Sequence, residues 1–329
     1  MTGEAGKALY FIAQCGAALA LIVLCAGVAV AQKYPDKPVR LVVGFPPGGA
    51  GDILGRLAAQ PLSTGLHEQV VVDNRGGAGG LVATEIVAHS AADGYTLLFT
   101  SIPHVINPFL YKKVDYDPIN DFDAVVQFVA APLLMATNVS LAAKSVKELI
   151  VLAKARPGQL NYGSGGSGSS SHLAVELFKS MADVDLTHIP YKGTGPMISE
   201  LIGGQLSLTI ASAVPLIPQV RAGKLRGLAV TGAKRSAAMP DLPTIGETVP
   251  GYEVTNWFGI AVPRGTPKSI ISRLNTELNQ GLKNPRLSEL LSAQGAEPAG
   301  GTPDDFAALI RRDLVKWEKV VKASGARVD

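Results

Sequence analysis

Glycine and serine are packed more densely in residues 160–172, LNYGSGGSGSSSH, than in any other part of the chain. Gly163, Gly165 and Gly168 fit G-x-G-x-x-G, a pattern of loops that cradle the phosphates of a dinucleotide. Two aspartates even follow about twenty residues later, where that motif places the acid that binds a ribose. The preceding strand is short, however, and the loop continues through residues 169–171, all serine, instead of entering the helix at the third glycine, Gly168. A dinucleotide-dependent enzyme is therefore one open interpretation of this loop.

A serine nucleophile is the second chemistry that this loop suggests. Hydrolases of the α/β class place the serine in G-x-S-x-G, and neither Ser164 nor Ser167 has both flanking glycines at those distances. His172 directly follows Ser171, but a triad also needs a third, orienting acid that lies close in space. The five histidines of the chain form neither H-x-x-H nor H-E-x-x-H. We therefore predict no catalysis, no metal site and no cofactor.

Binding of an anion is the third chemistry, and it fits the loop best. Glycines let backbone N–H groups converge on one point, and the helix expected after the loop adds unpaired N–H groups and a positive dipole end. Serine hydroxyls supply further donors, each charge-assisted hydrogen bond contributing roughly 1.5–3 kcal/mol. At least one serine of residues 169–171 should cap the helix instead. His172 is expected either to line the pocket or to pack and cap at the helix start.

A second glycine-rich loop, residues 45–51, follows the predicted strand at residues 39–43 and precedes a helical pattern. Asp52 stands at the head of that helix, where a carboxylate caps the N-terminus. Inside an anion pocket the same carboxylate would repel the ligand, so Asp52 is interpreted as structural. The two glycine loops are more than a hundred residues apart, which suggests one loop in each of two domains.

Strand-like and helical patterns alternate along nearly the whole chain, which predicts an α/β fold with mostly parallel strands. Ligands of such sheets bind beyond the carboxyl ends of the strands, in the loops that lead into helices. Thr302, Pro303 and Asp305 have the spacing of a capping box at the start of a last, C-terminal helix. The predicted binding site is a cleft with one glycine loop on each side.

The first thirty or so residues have the composition of an export signal. Lys7 precedes the apolar run 16–30, and residues 29–31 form the small-x-small pattern of a signal-peptidase site. The run is short for a membrane span and no further apolar stretch follows it. We therefore expect residues 1–31 to be a cleaved signal peptide and the mature protein, beginning at Gln32, to be exported.

Both cysteines, Cys15 and Cys25, lie inside this segment, so the mature protein should contain neither a disulfide nor a thiolate metal site. Lipid attachment at Cys25 is an alternative, although Leu24 is bulkier than the residue that usually precedes a lipidated cysteine. The mature length of about 300 residues suffices for two ordinary domains. The net charge is +3 and the basic residues are scattered, so no nucleic-acid partner is predicted.

Taken in order along the mature chain, ten short motifs resemble the Bug family, the TctC-like substrate-binding proteins of tripartite tricarboxylate transporters. Their number and order carry the resemblance, since no single motif is decisive. The motifs are FPPGGAGD at 45–52, VDNRGGAGG at 72–80, DGYTLL at 93–98, NPFLY at 107–111, YDPINDF at 116–122, LNYGSGGSGSSSHLAVELF at 160–178, HIPYKGTGP at 188–196, AGKLRGLAVT at 222–231, MPDLPTIGE at 239–247 and WFGIAVPRGTP at 257–267.

This resemblance implies a two-domain hinged periplasmic binding protein of type II, with the ligand cleft between the domains. Residues 32–133 and 257–329 would form a discontinuous domain 1, and residues 134–256 would form domain 2. The chain would then be a monomeric solute-binding protein that captures a dicarboxylate, tricarboxylate or aromatic acid. It would deliver this small carboxylate to two membrane permease subunits for uptake. A sensor component that presents its ligand to a signalling receptor is the alternative function.

The resemblance also implies the residues that would line the cleft. The ligand-binding set carried over position by position consists of Pro47, Gly48, Gly49, Ser164, Gly166, Ser167, Gly168, Ser169, Ser170 and His172. Thr100 and Ser101 are added at one predicted strand end, and Ser212 at another. An acid or amide often found in the family near Ala211 is absent here. A ligand without an amino group is therefore favoured.

Overall fold

The computed structural model describes residues 3, 34–48, 50–191 and 193–328. The predicted signal peptide, Gly3 apart, lies outside the described residues, as does the predicted ligand residue Gly49. Lys37–Asp329 forms one unit by its contacts. The prediction of two domains within that unit therefore stays a prediction.

Strands and helices alternate along the described part of the chain, as the sequence predicts. The strands are β1 Val39–Val43, β2 Val70–Asn74, β3 Thr96–Ser101, β4 Phe122–Asn138, β5 Asn161–Ser164, β6 Thr187–Pro190, β7 Leu208–Ser212, β8 Leu225–Val230, β9 Thr255–Pro263 and β10 Glu297–Gly300. The helices are α1 Ala50–Leu66, α2 Leu81–Ala88, α3 Pro103–Leu110, α4 Val146–Ala155, α5 Ser170–Ala182, α6 Thr194–Ile202, α7 Ala213–Arg221, α8 Lys268–Leu282, α9 Pro285–Ala293 and α10 Pro303–Ser324. The predicted α/β class is confirmed, but the prediction of mostly parallel strands is wrong. β1 pairs in parallel with β2 and β3, and β5 with β6 and β7, whereas every pairing of β4 or β9 is antiparallel, because the long central strand β4 and the returning strand β9 run against their neighbours.

One long strand, β4, organises the sheet. Its first part pairs antiparallel with β9 as far as Pro132 and also with β10, whereas its last part, from Leu133, pairs with β7 and β8. The main strand order is β2-β1-β3-β9-β4-β7-β5-β6. We call β1, β2, β3, β9, β10 and the first part of β4 the first half-sheet. The last part of β4 with β5, β6, β7 and β8 is the second half-sheet.

The register of β4 brings the carboxyl ends of strands from both half-sheets to one place. In the first half-sheet Ser101, the last residue of β3, pairs with Phe258, which in turn pairs with Val129 of β4. In the second, Ser212, the last residue of β7, pairs with Leu133 of β4. Because these two β4 residues are four positions apart, the loops that follow β3 and β7 leave the sheet close to the point where β4 passes between its halves.

The C-terminal helix α10 packs against elements of both half-sheets, contacting β4, α3 and α5. Its apolar face includes Phe306 and Trp317, both buried. Its predicted capping box is confirmed: the Thr302 side chain accepts from the Asp305 amide, and the Asp305 carboxylate accepts from the Thr302 amide. The Trp257 indole N–H of β9 donates to the buried Asp313 carboxylate at 2.8 Å, which joins β9 to this helix.

Candidate functional site

The glycine-serine loop connects β5 to α5 and takes its shape from left-handed backbone. Gly166 has a φ of 133° and Gly168 a φ of 76°, conformations that side chains with a Cβ rarely adopt. A Cβ at Gly168 would also lie 2.6 Å from Leu110 Cδ1. The loop ends at Ser169, the N-cap of α5, whose hydroxyl accepts from the His172 amide at 3.3 Å. This confirms the prediction that one of the three consecutive serines caps the helix.

Three side chains hold the loop in place: Ser164 and His172 of the predicted set, and Ser171, which is not in that set. The Gly165 amide donates to Ser171 Oγ at 2.9 Å, and the Gly168 amide donates to His172 Nδ1 at 3.0 Å. Ser164 Oγ, fully buried, donates to the Gly166 carbonyl and accepts from the Gly166 amide, both at 3.1 Å. The loop is therefore held by hydrogen bonds to its own residues and to the start of α5.

Two serines of the loop keep their donors unused. Neither the amide nor the hydroxyl of Ser167 or Ser170 has a hydrogen-bond partner among the described residues. Ser167 is exposed, and Ser170 is the first residue of α5 and half-buried. The unused donors therefore lie at the positive end of a helix of thirteen residues, an environment that favours an anion.

His188 completes the base of this loop, although it is absent from the predicted set. Its Nε2 lies 2.7 Å from Ser164 Oγ, and its ring stacks on His172 with centroids 3.9 Å apart. Burial and the neighbouring His172 lower the pKa of His188 to about 4, and burial also lowers the pKa of His172. Both rings are neutral near pH 7, so the base of the loop adds no cation. The available sequence signal was the HIPYKGTGP motif, which begins with this histidine.

The first glycine loop lies between β1 and α1. Pro47 and Gly48 are exposed, and the Gly48 amide donates to Asp52 Oδ2 at 2.9 Å. Asp52 also accepts from Asn74 Nδ2 at 2.9 Å and pairs with Arg56 at 3.0 Å. Burial alone would raise the pKa of the Asp52 carboxyl, but the Gly48, Asn74 and Arg56 contacts hold it below its ordinary value. These contacts support the interpretation of Asp52 as a structural residue, which stays a prediction.

The loop that follows β2 packs directly on the first glycine loop. Asn74 Nδ2 also donates to the Phe45 carbonyl at 3.0 Å, and a Cβ at Gly76 would lie 3.1 Å from the Pro46 backbone nitrogen. Asn107 of α3 donates to the Gly79 carbonyl at 3.3 Å. The loops after β1 and β2 thus form one packed wall, which contacts α3.

Helix α3 lies between this wall and the glycine-serine loop. Its Asn107 donates to the Gly79 carbonyl, and its Leu110 lies against Gly168. The backbone nitrogen of Val328, near the C-terminus, donates to the Leu110 carbonyl at 3.0 Å. The structure therefore places α3 directly against the glycine-serine loop, and against the first glycine loop only through the loop that follows β2.

The predicted residues at strand ends differ in exposure. Thr100 and Ser101, the last two residues of β3, are 4 % and 3 % exposed. Ser212 ends β7 and precedes α7, is half-buried, and makes no side-chain capping hydrogen bond. Ser212 is thus the more accessible of the three, and contact of any of them with a ligand stays a prediction.

Cavities also lie away from both glycine loops. One of about 760 Å³ is lined by the N-terminal ends of α8 and α10, and a second of about 710 Å³ lies between α5 and α10. The third, about 450 Å³, adjoins the second at α5. Within the described part of the chain no cluster of three metal-ligating side chains is found. No helix there is long and apolar enough to cross a bilayer.

Known proteins resemble this chain over nearly its whole length. The family model described as the tripartite tricarboxylate transporter family receptor, TctC, matches residues 54–326. Protein BugT of Bordetella pertussis is 36% identical over 318 residues, which cover 95% of this chain and 98% of BugT. An R. palustris protein solved with adipate is 41% identical with a TM-score of 0.78, covering 89% of this chain and 99% of that one. MatC from Rhodopseudomonas palustris, solved with bound malate, is 31% identical with a TM-score of 0.74, covering 88% of this chain and 100% of MatC.

These similarities confirm the resemblance to the Bug family and the periplasmic-binding-protein type of α/β fold. Proteins of this family are periplasmic solute-binding proteins and not enzymes, which removes the dinucleotide-dependent enzyme from consideration. The chain belongs to the TctC family, the receptors of tripartite tricarboxylate transporters.

Proposed function

We propose that this protein captures a small carboxylate and hands it to the membrane permease subunits of a tripartite tricarboxylate transporter. The observation that carries the proposal is the pair of unused donors at Ser167 and Ser170, at the start of α5 in a loop already ordered by its own hydrogen bonds. A preordered donor set binds an anion without the entropic cost of folding the loop around it. Adipate and malate, found in two relatives, are ligands of this chemical class.

The first glycine loop would contact the same ligand from the opposite side. Residues 32–133 with 257–329 and residues 134–256 would act as two domains, and a ligand touching both loops would favour their closed arrangement. A dissociation constant near micromolar corresponds to about −8 kcal/mol, which a few charge-assisted hydrogen bonds and a desolvated cleft supply. No acid stands at Ala211 to pair with an amine, so we favour an aliphatic di-acid or an aromatic acid.

Residues 1–31 would direct export and be removed, leaving a monomeric periplasmic protein that begins at Gln32. Mass spectrometry of the periplasmic form tests this directly. A mature N-terminus at Gln32 supports cleavage of residues 1–31 as a signal peptide. A lipid-modified N-terminus at Cys25 would instead show that the protein is a lipoprotein.

A thermal-shift screen of the mature protein against carboxylates, amino acids, amides and nicotinamide cofactors tests the ligand class. At a hundred times its dissociation constant a ligand adds about 2.7 kcal/mol to the free energy of unfolding, or several degrees in Tm. Ser167→Asp should abolish this shift by placing a negative charge among the anion donors. Ser269→Asp, at an exposed serine in the first turn of α8, is the matched control and should retain it. Stabilisation by amides or amino acids but by no simple carboxylate would contradict the proposal.

A further inference from the structure

A groove of about 710 Å³ runs between α5 and α10, away from both glycine loops, and we call it the α5–α10 groove. Its walls carry four cations, Lys179 from α5 and Arg312, Lys316 and Lys319 from α10. Glu176 is the single carboxylate of its lining. The groove is therefore strongly positive compared with the chain as a whole, whose net charge of +3 is spread over 329 residues.

Two of these cations are already neutralised by neighbours. Lys179 Nζ lies 2.9 Å from Glu176 Oε1, and Lys316 Nζ lies 3.0 Å from a carboxylate oxygen of the buried Asp313. Arg312 and Lys319 are exposed and have no carboxylate within ion-pair distance among the described residues. These two cations remain available to a partner.

An exposed apolar side chain stands between the two available cations. Arg312, Val315 and Lys319 have i, i+3, i+7 spacing and so share one face of α10, and all three line the groove. Val315 is 54 % exposed, so its side chain is accessible to a partner. A cationic face with an accessible apolar centre complements a segment that combines carboxylates with an apolar residue.

We propose that the α5–α10 groove is the docking surface for an acidic, partly apolar segment of a protein partner. A concave site walled by two helices suits a chain segment laid between them, which is a common mode of peptide recognition. A bilayer of anionic lipids is flat at this scale and would reach the exposed Arg312 and Lys319 but not the floor of the groove. The paired charges of Lys179 and Lys316 then define the walls, and the free charges of Arg312 and Lys319 attract the partner.

A chain of contacts connects this groove to the glycine-serine loop. Glu176 Oε1, in the groove wall, accepts from the Tyr162 hydroxyl at 2.6 Å. The Tyr162 ring stacks on His188 with centroids 4.9 Å apart, and His188 Nε2 lies 2.7 Å from Ser164 Oγ. The same helix, α5, begins in the anion-binding loop and continues into the groove. The groove and the loop proposed to bind the anion therefore share one helix, and their connection matters to transport only if the proposed function holds.

The test uses a fluorescein-labelled peptide of twelve residues that alternates glutamate with leucine, and its lysine-leucine counterpart. Fluorescence anisotropy measures their binding to the mature protein and to the double variant Arg312→Glu/Lys319→Glu. The control is Lys147→Glu/Lys224→Glu, which changes the net charge equally at exposed cations outside the groove. We expect the acidic peptide alone to bind, with at least tenfold weaker affinity in the groove variant and less than a twofold change in the control.

Three outcomes would overturn the docking proposal. They are no binding of the acidic peptide, equal weakening in both double variants, and groove-dependent binding to vesicles containing phosphatidylglycerol but not to the peptide. A thermal shift with adipate on the same three proteins separates this proposal from the proposed function. Equal stabilisation of all three by adipate leaves the capture of a carboxylate intact whatever the peptide does, whereas loss of every carboxylate shift would remove the proposed function itself.

Discussion

The imidazole rings of His172 and His188 stack nearly in parallel, with centroids 3.9 Å apart and planes 9° from each other. Each ring holds a different end of the glycine-serine loop: His172 accepts from the Gly168 amide, and His188 contacts the Ser164 hydroxyl. Two imidazolium charges at this separation would repel strongly, since the site is partly shielded from water. The geometry of the loop therefore depends on both rings being neutral.

Lowering the pH should destabilise the fold in a defined window. Burial and His172 lower the pKa of His188 from 6.5 to about 4, and burial lowers the pKa of His104 to about 4 as well. Between about pH 6.5 and pH 4 the unfolded chain binds protons at these two histidines that the folded chain does not bind. The contribution of the two histidines to the free energy of unfolding is therefore fully present above about pH 6.5 and is lost as the pH falls towards 4. Denaturant unfolding from pH 7.5 to 4.5 should show this decline.

The variant His188→Gln measures how much of this pH dependence of stability comes from one imidazole ring. It removes a group that must be kept neutral in the fold, so the free energy of unfolding should fall less steeply with decreasing pH than in the wild type. Adding His104→Gln should flatten the profile further, because that ring is 1 % exposed. Parallel profiles for the wild type and both variants would show that these histidines do not carry the pH dependence.

Substituting Gly168 should impair ligand binding more than stability alone explains. At a φ of 76° an alanine introduces about 1 kcal/mol of backbone strain, and its Cβ would lie 2.6 Å from Leu110 Cδ1, so the loop or α3 must move. We expect Gly168→Ala to lose both stability and the thermal shift with carboxylates. Gly223→Ala has a similar φ of 68° and open space around the Cβ, so it should lose about 1 kcal/mol and keep the ligand shift. An unchanged thermal shift with carboxylates in Gly168→Ala would show that the glycine-serine loop does not contribute to ligand binding.

The sequence predicts the two glycine loops and their position because that prediction needs only local patterns. A strand followed by glycines and a helix start indicates a donor-rich loop at a carboxyl end, and the structure has this arrangement in both places. The capping roles of Asp52 and Thr302 were predictable for the same reason, since their partners lie within four residues.

The role of His188 was not predictable from local pattern, because its partner Ser164 lies 24 positions earlier in the chain. The neighbouring strands β5 and β6 run in parallel and bring these two residues together, which no spacing rule in the sequence indicates. The α5–α10 groove depends in the same way on the packing of two helices that begin 133 residues apart, at Ser170 and Pro303. Both the role of His188 and the α5–α10 groove therefore arise from contacts between segments that are distant in the sequence, which local patterns do not predict.

Removing the charge of Asp52 should reduce stability. The carboxylate is 4 % exposed, receives the Gly48 amide and Asn74 Nδ2, and pairs with Arg56. Asp52→Asn weakens these charge-assisted contacts, so denaturant unfolding should show a loss of about 1–2 kcal/mol. The control Asp115→Asn removes an exposed carboxylate that lies 3.3 Å from His89 and should change stability by less than about 0.5 kcal/mol. Tighter carboxylate binding by Asp52→Asn without any loss of stability would instead place Asp52 against the ligand.

The two tryptophans provide a matched test of the contact between β9 and the C-terminal helix. Trp257 and Trp317 are both 0 % exposed, so replacing either by phenylalanine removes a similar buried volume. The Trp257 indole N–H donates to the buried Asp313 carboxylate at 2.8 Å, whereas Trp317 Nε1 has no hydrogen-bond partner among the described residues. A buried carboxylate that loses a donor costs about 1–3 kcal/mol, while removal of an unpartnered N–H incurs no such loss.

Trp257→Phe should therefore lower the free energy of unfolding by about 2 kcal/mol more than Trp317→Phe in the same denaturant. Because β9 follows the second half-sheet and pairs with β3 and β4 of the first, the hydrogen bond to Asp313 ties this returning strand to α10. If both variants lose the same free energy, the stabilisation at these sites comes from packing volume alone, and the bond between Trp257 and Asp313 contributes nothing measurable.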